Sequence, residues 1–217
     1  MKIVDLHIHT TGSDGSFTPT ELVKYAVEKG LSAVAITDHD TMRGIKEALD
    51  YIKNMGISLE LIPGMEISSQ NNNYPYGLHI LAYFIDKSAA EIDKIIKVVE
   101  KELKNDLSPL GVIRTIKKYG GLSSLAHPLE YGYSIKQLDK VAKELSEYGL
   151  NGIEGYYTTH SKSYIKEIKN IVTKYNMVVT GGTDFHGTRK HGVDLGSGFG
   201  DLKIPYKVLK DLREIKN

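Results

Sequence analysis

Short runs of aliphatic and β-branched residues alternate along the chain with longer segments in which apolar residues recur every three or four positions. The short runs are typical of buried strands, and the longer spacing is typical of amphipathic helices. The predicted strands are Lys2–Leu6, Ala33–Thr37, Ser58–Ile62, Leu78–Phe84, Gly121–Leu125, Gly152–Tyr156 and Val178–Gly181. The predicted helices are Thr20–Lys29, Met42–Asn54, Ala89–Lys104, Pro109–Tyr119, Ile135–Tyr148, Ser163–Tyr175 and Tyr206–Ile215.

The regular alternation of strands and helices predicts parallel β/α units in an α/β fold. A length of 217 residues suits one domain with a sizeable core, which we expect to span residues 1–217. Local signals support the first helix, because Thr18 can cap it, Pro19 fits its first turn and Gly30 can end it. The polar segment 69–77 is expected to be a turn between two strands, either a hairpin tip or the edge of a substrate mouth.

The composition narrows the possible chemistry. The chain has no cysteine, which excludes disulfides and thiolate metal sites and leaves nitrogen and oxygen as metal ligands. A formal net charge of +1 gives no general attraction to nucleic acid or to an anionic membrane, so any phosphate binding must be local. The first residues lack the apolar core of a signal peptide, and no apolar run is long enough to span a membrane. We therefore expect a cytoplasmic protein.

Histidines and carboxylates recur directly after the predicted strands or within them. They are His7, His9, His39, Glu66, His79, His127, His160, Asp184 and His186. In a β/α barrel the carboxyl ends of all strands meet on one face, and that face carries the functional site. We therefore expect these side chains to lie close together and to bind metal, because histidines that serve only packing would not recur at so many equivalent strand ends.

Two short motifs have the spacing of metal chelators. Residues i and i+2 of a strand point to the same side, so His7 and His9 can bind one metal while Ile8 packs in the opposite direction. Asp184 and His186 repeat the spacing with a carboxylate and an imidazole. Imidazole suits Zn, Mn or Fe, and carboxylates bridge metals and balance their charge.

With these motifs assembled, the chain resembles the PHP (polymerase and histidinol phosphatase) superfamily. The matching motifs are DLHIHTTGSDG at 5–15, ITDHDT at 36–41, PGMEIS at 63–68, AHP at 126–128 and GTDFHG at 182–187. They occur in the family's order over nearly the whole chain. Within the superfamily, the chain is most similar to the small stand-alone, TrpH-like phosphoesterases. The resemblance implies a distorted (β/α)7 barrel with two or three divalent metal ions (Mn, Fe or Zn) at the carboxyl ends of the strands.

The resemblance also implies roles for individual residues. The implied metal ligands are His7, His9, Asp14, His39, Glu66, His79, His127, His160, Asp184 and His186. Glu66 is expected to bridge two metals, and whether His127 or His160 binds the third metal stays open. The expected catalytic residues are Glu66, Asp184 and His186, and His186 is one candidate, beside a metal-bound water, to protonate the leaving group.

Basic residues near these motifs are candidates to bind the substrate. Arg43 follows the ITDHDT motif, Arg189 follows GTDFHG, and Lys162 lies two residues after His160. An arginine guanidinium suits phosphate because it donates paired hydrogen bonds, although each of these residues could equally be a solvated surface charge. Related nucleotide-acting members have an arginine shortly after AHP. This chain has Glu130 there, which would repel an anionic group if it faced the site.

These features predict a metal-dependent phosphoesterase in which a hydroxide that bridges two metals attacks the phosphorus atom. The expected substrate is a small phosphate ester, a nucleotide or a short oligonucleotide, with no membrane partner and no stable binding of duplex nucleic acid. The alternative enzyme is a histidinol phosphate phosphatase, and a third interpretation is a metal-binding module without catalysis. Hydrolysis of a carbon–nitrogen bond, as in amidohydrolase barrels, predicts a bridging lysine where this chain has Glu66.

Overall fold

The structure of the protein is a computed structural model that describes residues 2–71, 74–85 and 92–216. Its strands form a seven-stranded sheet whose strand order follows the sequence. They are β1 (Val4–Asp5), β2 (Ala33–Ile36), β3 (Glu60–Asn71), β4 (Tyr74–Tyr83), β5 (Leu122–Leu125), β6 (Gly152–Tyr156) and β7 (Val178–Gly181). The helices are α1 (Pro19–Glu28), α2 (Gly44–Met55), α3 (Ile92–Leu103), α4 (Pro109–Lys118), α5 (Ile135–Tyr148), α6 (Lys162–Lys174) and α7 (Lys207–Lys216).

Strand pairing is parallel except around β4, which is antiparallel to both of its neighbours, β3 and β5. The backbone N–H of Leu6 donates to the carbonyl of Gly181 at 3.1 Å, and the N–H of Asp184 donates to the carbonyl of His7 at 2.8 Å. These bonds draw the chain after β1 and the chain after β7 together, so the two edges of the curled sheet meet. The expected distorted (β/α)7 barrel is confirmed.

Most elements occur where the sequence predicts them. The predicted cap of the first helix is also present, because the side chain of Thr18 accepts a hydrogen bond from the N–H of Glu21. The prediction was wrong for the third strand, which we expected to end at Ile62. Instead β3 continues through Pro63 and Gly64 and forms a hairpin with β4. Proline and glycine are uncommon inside strands, so the pattern hid this continuity. A parallel crossover needs a dozen or more residues, which the short 69–77 segment does not provide.

The antiparallel pairing of β3 with β4 agrees with the hairpin interpretation of the 69–77 segment. The strands extend farther than expected, because residues 69–71 and 74–77 belong to them, and residues 72–73 lie outside the described residues. Residues 89–91 of the third predicted helix also lie outside them, and α3 covers the remainder up to Leu103. In the part of the chain that the structure describes, no helix is long and apolar enough to cross a membrane.

Both faces of the sheet are buried under apolar side chains. In β2, Val34 and Ile36 belong to a core cluster with residues of α1, α2, α4, α5 and α6. Ala33 and Ala35 point to the opposite face and belong to a second cluster, which includes Leu212 of α7. Continuous apolar strands of this kind are typical of sheets covered on both sides. The two clusters fix the strands, and therefore the positions of the residues at their carboxyl ends.

Asp5 fastens β1 to the segments that follow β7. Its side chain is fully buried, and its carboxylate accepts hydrogen bonds from the N–H of Thr183 at 2.9 Å, the hydroxyl of Thr183 at 2.6 Å and the N–H of Gly196 at 2.9 Å. Burial raises the pKa of Asp5 to about 6, although these hydrogen bonds act to lower it. Asp5 therefore holds together the two segments that carry His7 and Asp184.

We expect Asp5→Asn to lower the free energy of unfolding by about 1–3 kcal/mol, because an amide nitrogen would face donors that need an acceptor. Urea denaturation followed by circular dichroism measures this change. Asp50→Asn is the matched control, since Asp50 is exposed and pairs with Lys46 on α2; its effect should stay below about 0.5 kcal/mol. Equal stability of the Asp5 variant and the wild type would contradict the fastening role.

Candidate metal centre

Three groups of histidine and carboxylate side chains meet at the side of the sheet where the parallel strands β1, β2 and β7 end, and within each group the ligand atoms lie within 4.8 Å of one another. Glu66 and His79 join them from within β3 and the antiparallel β4. The first group is His7, His9, Glu66 and Asp184; the second is His39, Glu66 and His79; the third is His9, Asp14, His39 and His186. Glu66 belongs to the first two groups, and His9 to the first and third. The groups therefore form one continuous cluster.

Glu66 lies at the middle of this cluster and is only 1% exposed. Its Oε2 atom lies 3.2 Å from Nε2 of His7, 3.1 Å from Nε2 of His9 and 3.2 Å from Nδ1 of His39. These rings come from the segments after β1 and β2, whereas Glu66 lies in β3. One carboxylate oxygen thus faces imidazoles from two neighbouring strands.

The other oxygen of Glu66, Oε1, lies 2.8 Å from Nδ1 of His79 and 3.0 Å from Nε2 of His127. Both histidines are also held through their backbones. The N–H of His79 donates to the hydroxyl oxygen of Tyr131 at 2.8 Å, and the N–H of His127 donates to the carboxylate of Glu154 at 2.7 Å. Glu66 therefore presents each oxygen to a different set of imidazoles, the arrangement that a bridging carboxylate requires.

Asp184 also presents its two oxygens to different partners. Its Oδ1 atom lies 3.4 Å from Nε2 of His7 and 3.1 Å from Nε2 of His9. Its Oδ2 atom lies 2.5 Å from Nζ of Lys190 and 3.0 Å from the hydroxyl of Tyr157. The backbone φ of Asp184 is +56°, a left-handed conformation that costs a non-glycine residue about 1–2 kcal/mol. Strain of this kind is typical of functional sites.

Asp14 forms the solvent-facing side of the cluster. Its carboxylate oxygens lie 3.3 Å from Nε2 of His186, 3.6 Å from Nδ1 of His9 and 3.8 Å from Nε2 of His39. The side chain of Asp14 is 50% exposed, whereas that of His9 is fully buried. The third group is therefore open to solvent on one side, and an incoming ligand can approach from there.

Two local features bring the segments of the site close together. The carboxylate of Asp38 accepts hydrogen bonds from the N–H and the hydroxyl of Thr10, both at 2.6 Å, and from the hydroxyl of Ser13 at 2.8 Å. This fixes the loop that carries Asp14. At Gly182, a Cβ atom would lie 2.1 Å from Cβ of His7, so only glycine permits this approach.

The charges of the buried groups stabilise one another. Burial lowers the pKa of His7, but the carboxylates of Glu154, Glu66 and Asp184 outweigh burial and raise it well above its usual range. Burial likewise lowers the pKa of His9, which Asp184 and Glu66 raise to about 9. Burial raises the pKa of Glu66 and of Asp184, yet their histidine neighbours hold both pKa values well below the usual range. The two carboxylates are therefore ionised at neutral pH and suited to bind cations.

The donor atoms of the cluster fit divalent metal ions. Nε2 of His7 and both ring nitrogens of His9 are buried and have no hydrogen-bond partner among the described residues. Buried polar atoms of this kind are rare and costly unless a ligand satisfies them. Metal coordination would satisfy Nε2 of His7 and one ring nitrogen of His9, and a mixed set of imidazoles and carboxylates suits Zn, Mn or Fe.

Glu154 lies behind His7 and is fully buried in β6. Its Oε1 atom lies 3.1 Å from Nδ1 of His7. When the ring is neutral, as metal binding requires, a proton on Nδ1 donates to this carboxylate and the lone pair is on Nε2, which faces Glu66 and Asp184. Sequence reasoning missed this contact and also missed Lys190. The available signal for Glu154 was an acidic residue inside an apolar strand.

His160 lies outside the three groups formed by the described residues. Its Nδ1 atom lies 3.0 Å from the carbonyl oxygen of Gly155, and its ring packs against those of Tyr157 and Tyr164, with centroids 5.1 and 4.7 Å away. His127, by contrast, contacts Glu66. Of the two candidates for the third metal, the structure thus brings only His127 to the shared carboxylate.

The basic residues singled out from the sequence lie farther from these contacts. Arg43, Arg189 and Lys162 are exposed, and none of their side chains has a hydrogen bond or ion pair with a described residue. Their role in substrate binding stays a prediction. Glu130 lies at the edge of the site, since it accepts a hydrogen bond from the hydroxyl of Tyr157 at 2.6 Å and its other oxygen lies 3.8 Å from Nδ1 of His127.

Comparison with known proteins identifies several sequence relatives of this chain. A 5'-3' exoribonuclease of Haemophilus influenzae is 26% identical, covering 85% of this chain and 90% of its own. A 3',5'-nucleoside bisphosphate phosphatase of Chromobacterium violaceum is 21% identical, covering 90% of this chain and 91% of its own. The 5'-3' exoribonuclease Rnm of Escherichia coli is 49% identical over 84 residues, but these span only 28% of that protein.

The fold comparison and the family comparison lead to the same conclusion. The structure of a Bifidobacterium adolescentis protein assigned as a metal-dependent phosphoesterase superposes with a TM-score of 0.73 at 23% identity, covering 99% of this chain and 95% of that one. The model of the PHP domain matches residues 5–180, which include the candidate ligands from His7 to His160 but not Asp184 and His186. We conclude that the chain belongs to the PHP domain family and is a metal-dependent phosphoesterase.

Proposed function

We propose that this phosphoesterase hydrolyses phosphate esters of nucleotides or short oligonucleotides with two or three bound divalent metals, Mn, Fe or Zn. The observation that carries the proposal is the sharing of Glu66 between ligand groups that adjoin one another. Its two oxygens face different imidazoles, so neighbouring metals would be bridged. The nucleotide substrate is supported by the Haemophilus influenzae exoribonuclease and the Chromobacterium violaceum bisphosphate phosphatase, which align over most of their lengths.

The described residues divide into three sets that would each hold a metal. The first set is His7, His9, Glu66 and Asp184; the second is Glu66, His79 and His127; the third is Asp14, His39 and His186. Divalent metals bound there would polarise the phosphoryl oxygens and lower the pKa of water from about 15.7 to about 7, which supplies a nucleophile at neutral pH.

His186 is better placed as a ligand than as a proton donor. Its Nδ1 atom lies 2.9 Å from the carbonyl oxygen of Asp184, to which a proton on Nδ1 donates. The lone pair is then on Nε2, which faces Asp14 at 3.3 Å. Burial lowers the pKa of His186, which also favours the neutral ring. This geometry supports metal binding over protonation of the leaving group by His186.

The alternative function, hydrolysis of histidinol phosphate, is favoured by one observation. Glu130 places a negative charge beside His127, and its side chain is 44% exposed. A carboxylate at the edge of the site would attract the amino group of histidinol phosphate and repel a second phosphate of a nucleotide. The hydrogen bond that Glu130 accepts from Tyr157 weakens the repulsion of a second phosphate, but the carboxylate keeps its charge. Changing the charge at position 130 should therefore affect the two substrates in opposite directions.

We expect the reconstituted protein to contain about two or more equivalents of Mn, Fe or Zn per chain.

His9→Ala and Asp184→Ala should lower turnover by more than the roughly 10–100-fold that loss of a supporting contact costs, because each removes a ligand. Elemental analysis and phosphoesterase assays measure both effects. His191→Ala is the control, since His191 is exposed and outside the three groups. A metal content below about half an equivalent would contradict the proposed metal centre. A ligand variant that keeps more than roughly a tenth of wild-type turnover would contradict the ligand role of that residue.

We expect Glu154→Gln to weaken metal affinity by about 10–100-fold, because the amide no longer holds His7 in the tautomer that presents Nε2. Competition with a chelator measures the affinity. Glu154→Asp should recover part of it, and the free energy of unfolding should be measured beside it. Metal affinity within roughly twofold of wild type would show that Glu154 does not position His7.

Substrate choice is tested with a 3′,5′-bisphosphonucleotide, a dinucleotide and histidinol phosphate. We expect kcat/KM to be higher for a nucleotide substrate than for histidinol phosphate. Glu130→Arg should raise kcat/KM for the bisphosphonucleotide by about tenfold or more, the scale of one charged hydrogen bond. Glu147→Arg, a charge reversal on an exposed helix residue, is the control. A preference for histidinol phosphate of roughly tenfold would replace our proposal with the alternative.

A further inference from the structure

Lys190 reaches the metal centre from the turn that follows His186. Its Nζ atom lies 2.5 Å from Oδ2 of Asp184 and 3.0 Å from the hydroxyl of Tyr157, and 5.3 Å from the centroid of the Tyr157 ring. The side chain of Lys190 is 31% exposed. The ammonium is therefore fixed at the edge of the cluster and still accessible to a ligand from solvent.

The hydrogen bonds around Tyr157 determine how the charges are paired. A tyrosine hydroxyl has one proton and can donate it to one acceptor at a time. The hydroxyl oxygen of Tyr157 lies 2.6 Å from Oε1 of Glu130 and 3.0 Å from Oδ2 of Asp184. The shorter contact favours donation to Glu130. Lys190 then donates both to the oxygen of Tyr157 and to Asp184. Glu130 is thereby satisfied by Tyr157, and Lys190 is not neutralised by Glu130.

Lys190 keeps capacity for another partner. An ammonium has three N–H donors and no acceptor, and Asp184 and Tyr157 engage two of them. The third has no partner among the described residues. The other oxygen of Asp184 faces His7 and His9. Only the carboxylate of Asp184 therefore lies between this ammonium and the two imidazoles of the first ligand group. An anion held at that group would lie close enough for direct Coulomb attraction and a charge-assisted hydrogen bond.

We propose that Lys190 binds a phosphoryl oxygen of the substrate. This inference rests on the proposed function, in that the site must hold a phosphate group. Tyr157 and Asp184 orient the ammonium, while its third donor faces the anion. Lys190 fulfils this role better than Arg43, Arg189 or Lys162, because those residues are exposed and nothing described fixes their side chains.

The test uses Lys190→Met, Lys190→Arg and the exposed control Lys166→Met in the metal-loaded protein. Inorganic phosphate is the probe, and calorimetry measures its dissociation constant without turnover, so the result does not depend on which ester is hydrolysed. We expect Lys190→Met to weaken phosphate binding by about ten- to a hundred-fold and to raise KM more than it lowers kcat. Lys190→Arg should retain part of the affinity, and Lys166→Met all of it.

Metal content, measured on the same samples, separates phosphate binding from a positioning role. We expect it to be equal in all four proteins. A fall in metal content with Lys190→Met would overturn the proposal, because Lys190 would then act through Asp184. Phosphate affinity within roughly twofold of wild type would overturn it as well. If the wild type binds phosphate but hydrolyses no ester, and Lys190→Met weakens that binding, the substrate proposal fails and Lys190 remains the anion-binding residue.

Discussion

The fold and the site depend on one buried charge, the carboxylate of Glu66. It is almost completely excluded from solvent, and its two oxygens lie within about 3 Å of imidazole nitrogens from different strands. A buried carboxylate is stable only when it is paired, so the surrounding histidines are a structural requirement as well as a ligand set. The barrel must therefore bring the carboxyl ends of several strands to a single point.

The rest of the structure supplies that convergence. The cores on both faces of the sheet leave the strands little freedom, and Asp5 joins β1 to the segments after β7. Gly182 lets that segment approach His7 closely. Supporting groups then orient the rings: Glu154 fixes the tautomer of His7, and the carbonyl of Asp184 fixes that of His186. Precision of this kind determines whether a ligand set binds metal well.

Local patterns predicted the helices, most strand positions and the clustered ligands, because periodicity and the spacing of His7 and His9 are properties of short segments. They left a hairpin at 69–77 as one of two interpretations, and they missed that β3 is continuous, since Pro63 and Gly64 disguise the strand that leads into the hairpin. Contacts between residues distant in sequence were also missed. Glu154 lies 147 residues from His7, and no short motif links them. His160 has the same kind of Nδ1–carbonyl contact as His186, but it lies outside the three groups of described residues, so its place among the ligands stays a prediction.

We propose that Glu66 bridges two metals. Anomalous diffraction from crystals of the Mn- or Zn-loaded protein tests it most directly, since it locates each ion independently of activity. We expect two peaks, each about 2.0–2.2 Å from a different oxygen of Glu66, one beside His7 and His9 and the other beside His79 and His127. A loaded protein whose ions do not contact Glu66, or which has a single ion at this carboxylate, would contradict the account.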